Sequence, residues 1–310
     1  MKKFKFIFIG TSEFAAIIID NLIKNKWQPL LVITQPDKKT GRNQIFTSSP
    51  VKLITQKNKI KILSPKKIIE VKSQIINVNP EFIIVSSYGQ ILPSEILNLP
   101  PFGCLNVHPS LLPLYRGPSP IQAAILNGDK KTGVTILKMD EKIDHGPILA
   151  KEKITIDKND TTPSLSKKMA ELSSKLIIKT VPLWLENKIQ TQTQDEKRAS
   201  YTKIIDKKDS LIDWRGNALE IEHQVRAFLP WPGSYTFWQN KQLKIIKAKI
   251  YSDNFELEPG RVFKTEDNEI AVATSKKALI VKKLQIEGKN PAEDQDFLRG
   301  YPQIIGSILH

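Results

Sequence analysis

The chain has 310 residues, 40% of them hydrophobic and 25% charged, which excludes a disordered or fibrous protein and allows two folded domains. One cysteine, Cys104, excludes an internal disulfide and a cysteine-rich metal site, and fits a reducing compartment. The net charge of +15 suits a polyanionic partner such as nucleic acid, although a Lys-, Ile- and Asn-rich coding bias would produce the same excess.

The start, "MKKFKFIFIG", has too short an apolar run for a signal peptide, and "TSEF" follows it without a small-residue cleavage pattern. No stretch reaches the roughly 18–20 apolar residues of a membrane span, so a cytoplasmic protein is expected. "FKFIFIG" (4–10) reads as a buried strand, and "TSEFAAIIIDNLIKN" after it as a helix capped by Thr11 or Ser12. Further strands are expected at 29–35, 80–89 and 103–108, with a Lys-rich amphipathic segment at 65–79. The alternation of strand and helix predicts a doubly wound, mostly parallel α/β sheet. "GVTILKMD" (133–140) and "GPILAKEKITI" (146–156) read as a strand pair around a polar loop.

Thr162 is expected to cap a helix with Pro163 at its first position, and Pro182 to end or kink it. The polar stretch 188–206 reads as a linker, so that residues 1–187 form one domain and 207–310 a second. In the second, a helix at 217–228 is followed by short strands at hairpin spacing, which predicts a small barrel or sandwich. The basic excess lies in the first part: residues 1–205 hold 31 basic and 17 acidic side chains, against 16 and 15 in 206–310.

Side chains two apart on a strand share a face, so Asn106 and His108 in "CLNVHPSLLP" point together at the strand's C-terminal end. Open α/β sheets bind ligands at that end. Asp144 stands in a Gly-Pro-closed loop, "MDEKIDHGP", between two apolar strands. An acid beside an imidazole favours its protonated form, and an Asn amide can donate to a developing oxyanion. With no Ser or Cys nucleophile, the set suits direct transfer of an acyl-like carbon between two bound substrates. The plainer reading makes His108 a hydrogen-bonded structural residue and Asp144 a turn former.

Dinucleotide binding is poorly supported, because "GTSEF" has one glycine where several are needed; Asp37 resembles a ribose-binding acid only in position. Four scattered histidines show no metal-ligand spacing, and no metal is expected. A non-catalytic RNA-binding protein is the reading from another functional class.

The stretch "NVHPSLLPLYRGPSPIQAAILNGDKKTGVTILKMDEKIDHGPIL" resembles the signature of the formyltransferases that use 10-formyltetrahydrofolate. "FIGTSEFA", "TQPDKKTGR", "WRGNALEIEHQVRAFLPWPGSYT" and "DFLRGYPQ" extend the likeness nearly end to end, most closely to the branch whose acceptor is methionine on initiator tRNA. The resemblance implies a Rossmann-like domain with a smaller OB-like barrel. It implies Asn106, His108 and Asp144 as catalytic residues, and Ser110, Leu111, Leu112, Pro113, Tyr88 and Gly89 around the folate. It also implies that Arg42, with Lys38 and Lys39, contacts the tRNA, on a loop with fewer cations than the family pattern. The partners implied are 10-formyltetrahydrofolate as co-substrate and initiator Met-tRNA, with no membrane, and the chain is expected to be a monomer. Water, a sugar nucleotide or a purine-precursor amine would be the acceptor in the nearest alternatives.

Overall fold

The computed structural model describes residues 4–40, 44–251 and 256–310. They form two compact units, one of residues 1–120, 131–155 and 166–202, the other of 121–130, 156–165 and 203–310.

The first unit begins with β1 (Phe6–Gly10), whose five residues are all buried, and α1 (Glu13–Lys24). The Ser12 side chain accepts from the Ala15 N–H and caps α1, with Glu13 in the first turn, where the positive end of the helix dipole favours an acid. Next come β2 (Leu31–Ile33), the ribbon of β3 (Lys38–Thr40) and β4 (Ile45–Thr47), α2 (Pro50–Lys57) and β5 (Ile62–Leu63). The Lys-rich segment 65–79 becomes a short 3-10 turn, Ile68–Val71, running into α3 (Lys72–Val78). It is followed by β6 (Phe82–Ser86), the single turn α4 (Ser94–Leu97) and β7 (Cys104–His108). The chain then passes through α5 (Pro120–Leu126), which from residue 121 on belongs to the second unit, and returns to the first with β8 (Lys131–Lys138) and β9 (Ile148–Thr155).

The strand order is β5-β2-β1-β6-β7-β8-β9. The first five run parallel, and β8 pairs antiparallel with both β7 and β9. This is the expected mostly parallel, Rossmann-like sheet, and its central strands read as unbroken apolar runs because both faces are covered. Gly10, Ser86 and Asn106 lie at the C-terminal ends of three neighbouring strands, with Gly10 opposite Ser86 and Val85 opposite Asn106.

α6 (Thr162–Leu185) differs from its expected form at both ends. Its first N–H groups turn to Thr161, whose carbonyl accepts from Leu165 and whose hydroxyl accepts from Ser164. Thr162 instead donates its hydroxyl to the Ala227 carbonyl. The helix also runs through Pro182 to Leu185, because Val181 is buried before the proline and the Trp184 indole N–H donates to the Phe102 carbonyl after it. Packing on both sides offsets one missing backbone donor.

The second unit contains α7 (Ala218–Ala227), opened by a capping box between Asn217 and Glu220. Its strands are β10 (Tyr235–Trp238), β11 (Lys241–Tyr251), β12 (Val262–Lys264), β13 (Ile270–Ala273), β14 (Ala278–Ile286) and β15 (Ala292–Glu293), and α8 (Asp294–Gly300) follows. The antiparallel order β10-β11-β14-β13-β12, with β15 on β14, is a half-barrel. Register shifts at Ile245–Ala248 bend β11, as bulges do. Trp238, Leu243, Leu279, Leu284 and Phe297 fill its core.

Gly10 closes β1 where no side chain fits. A Cβ there would stand 2.7 Å from the Ser86 carbonyl and 2.8 Å from the Ala15 Cβ. Gly10→Ala should therefore cost about 1–3 kcal/mol by overpacking. A lower urea midpoint with an unchanged m value would show it.

Candidate active site

The alternation of β7 gathers Asn106 and His108 on one face, and the loop between β8 and β9 brings Asp144 to them. Asn106 donates its side-chain N–H to Asp144 Oδ1 at 2.9 Å, and His108 Nδ1 lies 3.5 Å from Asp144 Oδ2. The Gly117 backbone N–H donates to Oδ2 at 2.8 Å. Among the described residues the Asp144 carboxylate thus has two direct donors, and neither is the imidazole. His108, 4% exposed, sets its Nε2 2.8 Å from the Tyr115 carbonyl. A carbonyl can only accept, so Nε2 carries hydrogen and Nδ1 is the ring nitrogen that faces Asp144.

Asp144 takes a left-handed conformation, φ +49°. For a residue with a Cβ this costs about 1–2 kcal/mol, which the surrounding bonds must offset. Gly146 lets the loop close tightly, since a Cβ there would fall 1.9 Å from the Lys138 carbonyl.

The expected folate wall divides into two kinds of residue. Ser110 and Leu112 are buried: Ser110 donates its hydroxyl to the Leu114 carbonyl, and Leu112 packs with Leu137 and Ile148. Thr135 ties them down, donating to the Ser110 carbonyl and accepting from the Leu112 N–H. Leu111 and Pro113 remain half-buried, and the Leu112–Pro113 bond is cis. Tyr88 and Gly89 lie just beyond β6. Gly89 is exposed with φ +78°, while the Tyr88 side chain packs into the core with Leu92 and Ile96. What Tyr88 turns to its neighbours is a carbonyl that accepts from the Gln35 amide at 3.0 Å.

The basic loop after β2 is a two-stranded ribbon, with Lys38 opposite Thr47 and Lys39 opposite Phe46. Lys38 and Lys39 are exposed, and the Lys39 ammonium stands 5.5 Å from the Phe46 ring centroid. Arg42 lies outside the described residues. At the ribbon's base the Lys52 ammonium pairs with Asp37 at 2.7 Å and holds that carboxyl below its ordinary range. Ser48 donates its hydroxyl to the same carboxylate oxygen.

Sequence reasoning missed the residues behind the site. Arg116 is fully buried, and its guanidinium donates to the side-chain oxygens of Gln194, Glu196 and Tyr201. The Glu196 carboxylate beside it raises the arginine's pKa further, and Arg116 lowers that of Glu196. These partners lie in the stretch read as a linker. Residues 188–202 are laid along the first unit by backbone bonds from Gln192 to Ile148 and from Arg116 to Ser200 and Thr202. The only local signal was the Arg-Gly pair inside a proline-rich run. Among the described residues no cluster of three or more His, Cys, Asp or Glu could hold a metal ion.

Residues 2–181 match the formyl transferase family and residues 204–302 its C-terminal domain. The chain is 40% identical to the methionyl-tRNA formyltransferase of Desulforamulus reducens, over 98% of this chain and 97% of that one. It is 41% identical to the same-named protein of Caldicellulosiruptor saccharolyticus, over 98% and 99%. Among solved structures, the sugar 3N-formyl transferase WlaRD superposes with a TM-score of 0.65 at 22% identity, covering 94% of this chain and 100% of that one. HypX from Aquifex aeolicus, in complex with tetrahydrofolic acid, gives 0.68 at 14% identity, over 98% of this chain and 48% of that one. At those identities the likeness is one of fold.

Burial, with the charge of Glu70 adding to it, pushes the Tyr88 phenol up to about 12 from an ordinary 10.0. Above pH 10 the unfolded chain gives up this proton while the folded chain keeps it. The contribution of the neutral phenol to stability is therefore complete below pH 10 and lost as pH climbs through about 12. Denaturation of the parent and of Tyr88→Phe from roughly pH 9 to 12 checks this, and the parent should lose ground relative to the variant as pH rises.

Proposed function

The chain belongs to the formyl transferase family, and from that premise we propose that it moves the formyl group of 10-formyltetrahydrofolate to the amino group of methionine on initiator Met-tRNA. One observation carries the reading: Asn106, His108 and Asp144 meet at the C-terminal end of β7, in a chain about 40% identical throughout to methionyl-tRNA formyltransferases. The sugar transferases that share the fold stand at 22% identity, which carries no argument for their acceptor.

In this mechanism the amine attacks the formyl carbon and a C–N bond forms. One Asn106 N–H is committed to Asp144, and the other is assigned to the oxyanion of the tetrahedral intermediate. His108 Nδ1 takes the proton that the amine sheds, and the imidazolium so formed faces the Asp144 carboxylate at 3.5 Å. The proton then passes to the folate nitrogen as its bond to the formyl carbon breaks, with Asp144 able to relay it through water. These steps call for no metal ion. Leu111 and Pro113 supply the half-exposed part of the pocket wall, Ser110 and Leu112 its buried support, and Gly89 and the Tyr88 backbone border it. Residues 1–187 carry this chemistry and residues 207–310 help hold the tRNA, in a cytoplasmic monomer. Lys38, Lys39 and Arg42 meet the tRNA backbone, which the basic excess in residues 1–205 favours.

A transfer assay with 10-formyltetrahydrofolate, offering charged initiator tRNA, elongator tRNA or no acceptor, tests the proposal. Formylation of initiator Met-tRNA alone is expected; donor consumption without tRNA would replace the acceptor, and no consumption would remove the chemistry. His108→Ala and Asp144→Asn should each lower kcat by roughly 10²–10⁴-fold with melting curves preserved. Replacing Lys38 and Lys39 together by Ala should weaken tRNA binding and flatten its log–log salt dependence by about 1.5, while leaving donor binding unchanged.

A further inference from the structure

We infer that Gln194 is a positioning residue that holds Asp144 in its working conformation, which makes the stretch 190–202 part of the active site rather than a tether. The inference rests on the formyl-transfer reading for its effect on turnover, and on geometry for the rest. The Gln194 side-chain amide donates to the carbonyls of both Asp144 and Gly146, each at 2.8 Å. Its oxygen accepts from Arg116 Nε at 3.2 Å and Nη2 at 2.9 Å. All four hydrogen-bonding positions of one 6%-exposed amide are thus in use. Two of them brace the backbone on which Asp144 sits at φ +49°. The same arginine leads into Gly117, whose N–H holds the Asp144 carboxylate from the other side. Asp144 is therefore gripped at its carbonyl through Gln194 and at its carboxylate through Gly117.

Gln194→Glu separates these bonds, because it keeps an oxygen for Arg116 and loses both donors to the loop. Two readouts decide the inference on the full chain. The first is hydrogen exchange at the Gly117 amide, with the Thr202 amide, which donates to the Arg116 carbonyl, as internal control. The second is kcat, with KM for the formyl donor. Gly117 exchange is expected to quicken by about tenfold or more while Thr202 stays protected. The expected fall in kcat is about 100-fold, the scale for a misplaced catalytic group, with KM little changed. Unchanged Gly117 protection overturns the inference whatever the turnover. Loss of protection at both amides does so too, since Gln194 would then only hold the strap together, as does quickened Gly117 exchange with kcat intact. Should the parent transfer no formyl group to any acceptor, the proposed function fails, and the exchange pattern alone still decides whether Gln194 positions Asp144.

Discussion

A guanidinium removed entirely from water must find acceptors for its N–H groups, since an uncompensated buried ion costs several kcal/mol. Arg116 meets this demand with Gln194, Glu196 and the Tyr201 hydroxyl, none of them near it in sequence. The result is a strap, residues 188–202, drawn along the first unit. Tyr201, 66% exposed, keeps its ring 5.6 Å from the guanidinium carbon while its far side meets solvent. The same bonds orient Gln194, and Gln194 in turn braces the loop that carries Asp144.

The sheet supplies the rest of the rigidity. β7 sits where the parallel part of the sheet meets antiparallel β8, so His108 lies opposite Thr135. Thr135 reaches the segment after β7 from beneath and holds Ser110 and Leu112 with two hydrogen bonds. Cys104 starts the same strand, but it is 1% exposed and burial raises its thiol to about 12. It is a small core residue.

Chain-local physics made much of this legible. Period-two alternation put Asn106 and His108 on one face, and Gly-Pro after Asp144 marked the loop between two strands. Hairpin spacing predicted a small barrel or sandwich, and the second unit forms a half-barrel. The misreadings came where a distant group competes with a local rule. Thr162 looked like a cap, yet its hydroxyl goes to the Ala227 carbonyl and Thr161 serves in its place. Pro182 was expected to end or kink the helix, and of the two α6 does not end there, since Trp184 beyond it is anchored by the Phe102 carbonyl. Lys38–Thr40 looked like part of a loop, and their pairing with Ile45–Thr47 came from residues not read as a strand.

The sequence by itself determined the fold class, the main strands and helices, and the three polar residues at the candidate site, because each follows from sterics and burial acting over a few residues. Tertiary structure decided how those residues are held. Gln194 meets Asp144 across 50 positions, and Arg116 meets Glu196 across 80. Such partners have no period or spacing to betray them. Only the requirement that every buried donor and acceptor be satisfied selects them, and that requirement acts once the chain is folded.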